Sequence, residues 1–230
     1  MAQPDLRKAS FAGICQISFL VGYAQNELKT GYSIVTPQFL MVGSDAMPLQ
    51  SITATGEGTS DSVNLQTLDA FGYTVDSYLW NDWVAEQPCW VDDAFEPVEG
   101  VVVSPAQGLW VGGASSAQGI QTAGKVGSSD VLFQLRTGYA ATGNPFPVAL
   151  DLQEIVAVGD GTSDTVNLQT LDAFGYTVDS YLWNDWVAEQ PCWVNDSFEP
   201  VEGVSIAPGQ GLWIGGASSE QYIQFPAPEL

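Results

Sequence analysis

The stretch Val63–Val91, VNLQTLDAFGYTVDSYLWNDWVAEQPCWV, recurs without a change as Val166–Val194, 103 residues further along the chain. Working outward, Glu57–Gln121 and Asp160–Gln224 agree at 54 of 65 positions, so the chain carries two copies of one unit. Upstream the match continues after a four-residue length change, where Lys29-Thr-Gly-Tyr32 echoes Arg136-Thr-Gly-Tyr139. A unit of about 100 residues is a common single-domain size. Whatever one copy does, the other is expected to do as well.

Inside the repeated stretch, Val63–Leu68 and Tyr73–Trp80 read as strands. Asp69 opens and Gly72 closes the short turn between them, which predicts a hairpin. Ile52–Thr55, Trp83–Ala85, Val101–Ser104, Leu109–Gly112 and Ile120–Val126 are further strand candidates. Helical periodicity is hard to find, and 24 Gly with 13 Pro punctuate the chain. The expected fold is all-β: two tandem, near-identical sandwich- or barrel-like repeats over 28–126 and 127–230, after an N-terminal extension strand at 1–27. The apolar stretch that follows Arg7 and Lys8 is interrupted by Gln16 and Ser18. It alternates like a strand rather than reading as the core of a secretory signal. Nothing reaches the roughly 20 apolar residues of a membrane-spanning helix.

Charge narrows the partners. Across 230 residues there are 27 Asp+Glu against 5 Lys+Arg and no His, a formal net charge of −22. Such a surface lacks the Lys/Arg patches that bind nucleic-acid phosphates or anionic lipid. A His-based triad and a His-ligated metal are excluded outright. With 45% hydrophobic residues the chain nonetheless has ample material for a core. No Lys or Arg occurs between Thr30 and Gly124 or between Thr137 and Leu230, so trypsin would find little to cut. That distribution suits a protein exposed to proteases.

Four groups of residues are candidate sites. The segment between the copies is expected to donate one strand that ends copy one and another that begins copy two. The head then has no preceding copy to pair with, and the tail has no following one. Phe11, Ile14, Ile17, Phe19 and Val21 would meet Tyr222, Ile223 and Phe225 of another molecule, head to tail, and a contact that does not close builds a filament; the alternative is that the head packs on copy one within the same chain. Period two in Tyr73–Trp80 puts Tyr73, Val75 and Leu79 on one face, the expected core. It puts Tyr78 and Trp80, with Asp76, on the other, and Tyr181 and Trp183 repeat the pattern. Those four rings form a candidate ligand platform for a glycan, against the simpler reading that they serve the core. Asp61, Asp160 and Asp164 lie in Gly-rich loops and are weak candidates for a hard cation, although the EF-hand spacing is absent. No cofactor and no catalytic residue is expected: the carboxylate pairs around Asp92, Asp93, Glu96 and Glu99 have counterparts everywhere in so acidic a chain. Cys15, Cys89 and Cys192, one per copy with one in the head, cannot form a disulfide framework.

The string TLDAFGYTVDSYLWNDW, with Thr-Gly-Asn-Pro145 ahead of copy two and Gln210-Gly-Leu-Trp213 near its end, resembles a β-rich tandem repeat. That repeat belongs to secreted and surface proteins of anaerobic, gut-type bacteria. Copy one departs in having Thr36-Pro37 where copy two has Asn144-Pro145. The resemblance implies an exported address and a β fold, and no reaction. The functional expectation is a non-catalytic extracellular structural protein, a self-assembling surface or filament subunit linked by terminal strand exchange. The alternative is a tandem carbohydrate-binding or adhesive module.

Overall fold

The structure, a computed structural model, describes residues 21–28, 30–39, 46–113 and 117–229. It is all-β, with several small antiparallel sheets set in a propeller-like ring. Copy one runs β1 (Val21–Glu27), β2 (Gly31–Val35), β3 (Met47–Pro48), β4 (Thr53–Thr55), β5 (Asn64–Leu68), β6 (Thr74–Asn81), β7 (Cys89–Val91), β8 (Val102–Val103), β9 (Leu109–Gly113) and β10 (Gly119–Lys125). Copy two repeats the order as β11 (Val131–Gln134), β12 (Gly138–Gly143), β13 (Leu150–Asp151), β14 (Val156–Val158), β15 (Asn167–Leu171), β16 (Thr177–Asn184), β17 (Cys192–Val194), β18 (Ser205–Ile206), β19 (Gly211–Gly216) and β20 (Tyr222–Phe225). Each copy has a five-stranded sheet (β2-β9-β5-β6-β7 in copy one), a three-stranded sheet (β1-β10-β4) and a two-stranded ribbon (β3-β8). No helix among the described residues is long and apolar enough to cross a membrane.

The β5–β6 hairpin forms where it is expected, and the reason is local. Asp69 Oδ1 accepts from the backbone N–H of Phe71 at 2.8 Å and of Tyr73 at 2.9 Å, an Asx turn that folds the chain back. Trp83–Ala85, by contrast, is not a strand but part of an irregular run of bends. The buried side of the hairpin is also the reverse of the expected one. Tyr78 and Trp80 are buried, whereas Tyr73 is 73% and Val75 61% exposed. Two features defeat the simple alternation. The register shifts between Thr67 and Leu68, so period two cannot be carried unbroken from Tyr73 to Trp80. The outer half of the hairpin also stands clear of the core, its rungs tied by Thr67 with Asp76 and by Thr74 with Gln66.

Each core is organised around a tryptophan of β7 or β17. Trp90 is completely buried, donates Nε1–H to the Ile52 carbonyl at 2.7 Å and meets Trp80 edge-on at 5.1 Å. Gln50 bonds the backbone N–H and carbonyl of Trp90 through its side-chain amide. Trp193, Trp183, Ile155 and Gln153 repeat the arrangement. Residues of the three- and five-stranded sheets, Ile120 and Ala54 with Leu65, Leu109 and Val111, share one apolar cluster in copy one.

Within the described residues, the strands nearest the two chain ends both pair inside the molecule. As expected, β10 ends copy one and β11 begins copy two. However, β1 pairs along its whole length with β10, and thereby supplies copy one with its own first strand. The tail strand β20 is the centre of its sheet, hydrogen-bonded to β11 on one side and β14 on the other, and Ile223 and Phe225 are completely buried. Tyr222, Ile223 and Phe225 therefore offer no free edge to a second molecule. Phe11, Ile14, Ile17, Phe19 and the Val21 side chain lie outside the described residues, as does Cys15. Cys89 and Cys192 are free, half-buried thiols.

The copies meet through reciprocal contacts. Tyr32 N–H donates to the Ala173 carbonyl at 3.1 Å, and its counterpart Tyr139 N–H donates to Ala70 at 3.0 Å. Bridges pair Val35 with Gln210 and Gln107 with Thr142, again as counterparts. Each hairpin tip thus docks on the Lys/Arg-Thr-Gly-Tyr segment of the other copy. Gly31 (φ +107°) and Gly138 (φ +94°) are required there, because a Cβ would lie 2.8 and 2.9 Å from the docking carbonyl oxygens. Behind each tip a stacked pair, Tyr32 on Trp110 and Tyr139 on Trp213, closes the contact at 5.6 Å. A contact that is the same patch on both partners closes on itself rather than propagating.

Candidate functional site

The chemistry that remains for a partner sits where the hairpin leaves the sheet. Asp61 takes a left-handed φ of 59°, unusual for a non-glycine residue. Its Oδ1 accepts from Asn81 Nδ2 at 2.9 Å, and its Oδ2 accepts from the indole Nε1 of Trp83 at 3.1 Å. Asn81 is itself completely buried, and its Oδ1 accepts from the backbone N–H of Trp83 and Val84. A tryptophan without regular secondary structure is in this way fixed at both backbone and ring. Trp83 is nonetheless 61% exposed.

Beside it stands Phe95, ring centroids 5.6 Å apart and planes inclined by 32°. Phe95 also has a left-handed φ, 60°. The turn that imposes it is built by Asp92, whose Oδ1 accepts from the N–H groups of Ala94 and Glu96. Holding a large side chain in that region costs on the order of 1 kcal/mol or more, and such residues cluster at functional sites. Copy two reproduces the whole device: Asp164 holds Trp186 through Nε1 at 2.9 Å, Asn184 holds its backbone, and Trp186 meets Phe198 at 5.6 Å and 31°. Asn195 replaces Asp92, yet its carbonyl oxygen accepts the same two N–H groups, of Ser197 and Glu199. The turn needs an oxygen acceptor and not a charge.

Next to Phe198 runs a shallow groove of about 310 Å³, lined by Asn167, Gln169, Ser180, Leu182, Asn195 and Asp196. Its walls mix amide and hydroxyl groups with Leu182, Phe198 and the Asp196 carboxylate, and Asn167 Oδ1 is buried without a hydrogen-bond partner. An aromatic plane beside fixed amides suits a ligand with an apolar face and a hydroxylated rim.

The expected platform is distributed differently. Tyr78 and Trp80, and Trp183 in copy two, are core side chains, while Tyr181 packs against the core from its edge. Burial first, and then the neighbouring carboxylate of Asp76 or Asp179, raises the Tyr78 and Tyr181 phenols above their ordinary value. The platform that the structure does expose, Trp83 with Phe95, escapes a strand-based reading because it rides on loops where period two carries no information. Asp61 and Asp164 are not free cation ligands, since each carboxylate is shared between an amide and an indole. In the same loops the Gly58 and Gly161 carbonyls accept from the side-chain amides of Gln118 and Gln221. The Asp160 carbonyl also accepts from Gln221. Among the described residues no three Asp, Glu, His or Cys side chains gather closely enough to hold a metal ion.

Comparison with known proteins finds no matching family model, no matching curated protein and no matching solved structure.

Proposed function

We propose that the protein is a non-catalytic, extracellular adhesive module with two equivalent glycan-binding platforms, Trp83/Phe95 and Trp186/Phe198. One observation carries this reading: an exposed tryptophan, immobilised by a carboxylate bond and paired with a strained phenylalanine, occurs twice in the same geometry. A sugar ring would lay its C–H face on the indole, and in copy two the groove amides beside Phe198 would take its hydroxyls. Rigid aromatic planes lose little entropy on binding, so they suit weak sites used in pairs. Two linked weak sites gain avidity through effective concentration, which gives the duplication a purpose.

The surface address accords with the near absence of tryptic sites and with the resemblance to exported tandem repeats. Terminal strand exchange does not enter this reading, because β20 already has both its neighbours. At the level of architecture we infer that each copy is a small barrel-like unit, its three- and five-stranded sheets facing one shared core. A glycan screen with the Trp83→Ala/Trp186→Ala double variant tests the proposal. Loss of every hit in a variant that keeps its melting temperature supports it; retained binding overturns it.

A further inference from the structure

We infer a second, chemically distinct binding site at the joint between the copies, which takes a monoanionic ligand of sugar size through a carboxylate. The site is a cavity of about 770 Å³, within the usual range of small-ligand sites. It is formed by the loop before β9, by the Lys125–Gln134 connection and by the start of β12. Both cations among the described residues, Lys125 and Arg136, line it. In a chain of net charge −22 that coincidence is informative, since the other charged side chains among the described residues are all carboxylates.

Arg136 is built into place. Its Nε donates to the Tyr139 carbonyl at 3.0 Å and its Nη2 to the Leu68 carbonyl at 3.0 Å, a bond that reaches from copy two to copy one. Two of its five N–H groups are used, and the acceptors are neutral, so the charge is not cancelled and further donors remain. An anchored guanidinium gives up little freedom when it grips a carboxylate. The one carboxylate of the lining, Asp130, is turned to the tail, with Oδ1 accepting from Ala227 N–H at 2.8 Å and Oδ2 from Gln224; these donors are neutral, so Asp130 keeps its charge and the two cations leave the lining positive by one. Gln107 bonds the Ser104 N–H through Oε1, which leaves its amide donors for a ligand.

The remaining walls decide the class of ligand. Serine hydroxyls and glutamine amides alternate with Pro105, Val131 and a half-exposed Leu132, a mixture that matches a hydroxylated ring with one acidic group. A dianion or polyanion would meet the repulsion of the whole chain, whereas a single carboxylate meets two nearby cations. A uronic acid residue has this chemistry. The inference does not rest on the aromatic platforms, which carry no cation.

Titration of the full-length protein with glucuronate, with glucose as the neutral control, tests it. Glucuronate is expected to bind at least about tenfold more tightly than glucose. Its affinity is expected to fall several-fold between roughly 20 and 300 mM NaCl. Lys125→Gln, at the last residue of β10, should weaken glucuronate about tenfold while leaving glucose unaffected. A Ser129→Trp variant that fills the cavity should abolish binding, which keeps the inference testable if Lys125→Gln disturbs folding. Equal affinity for the two sugars, no glucuronate binding, or salt-independent binding would each overturn it. Glucuronate binding in the absence of any neutral-glycan hit would sink the platform reading alone and leave this one standing.

Discussion

Asp61 is a residue whose two oxygens do different work. One satisfies the buried Asn81 amide and the other orients an exposed indole. Asp61→Ala is expected to cost about 1–3 kcal/mol, because it orphans a buried donor, and denaturant unfolding would measure the loss. Asp164→Ala should behave alike in copy two, and a loss below a few tenths would contradict this double role. Tyr78 and Tyr181 make a second residue-scale case. Their phenols are raised above the ordinary value near 10. The folded state therefore favours the neutral ring. That contribution is whole below pH 10 and is lost as pH climbs through the raised value. Thermal midpoints are expected to hold between pH 7 and 9 and to drop above about pH 10. Phenolate absorbance should show two late-titrating tyrosines; if all tyrosines ionise together near 10, the assignment fails.

Elements are legible in the sequence where a side chain dictates the backbone. Asp69 and Gly72 announce the hairpin turn, and the turn forms with Asp69 as its acceptor. The joint strand β10 likewise lies where the Ile120–Val126 run predicts it. Alternation groups Tyr78 with Trp80 but does not say which face is buried: those two enter the core, while beyond the bulge the outer half of the hairpin, Tyr73, Thr74, Val75 and Asp76, is exposed on both faces. Trp83 and Phe95 cannot be singled out from alternation, since both sit in turns. A signal is nonetheless present in Asp61 and Asn81, polar residues repeated without change around an unpaired tryptophan. The Lys/Arg-Thr-Gly-Tyr echo also has a meaning hidden from the sequence, as the seat for a hairpin tip from the other copy. Gly138→Ala tests that seat. It forces a side chain into a left-handed backbone and against the Ala70 carbonyl, and an expected loss of about 1–3 kcal/mol would appear as a lower melting temperature. An unchanged melting temperature would mean that the tip does not dock there.

At the scale of the molecule, duplication and acidity acquire separate roles. The reciprocal contacts turn two copies into a closed pair and use up the hairpin tips' docking seats, while leaving the two Trp–Phe platforms exposed. Phe71 and Phe174, over 80% exposed at the same tips, show that docking is through backbone and not through the aromatic side chains. Against the net charge of −22, both cations among the described residues gather at one cavity at the joint. Bivalency is the central claim, and dissociation from a dense glycan surface measures it directly. For any glycan that the protein captures, Trp83→Ala and Trp186→Ala should each speed dissociation by about 10²-fold or more, and the double variant should not bind. Equal dissociation rates for the wild-type protein, both single variants and the double variant would contradict the account.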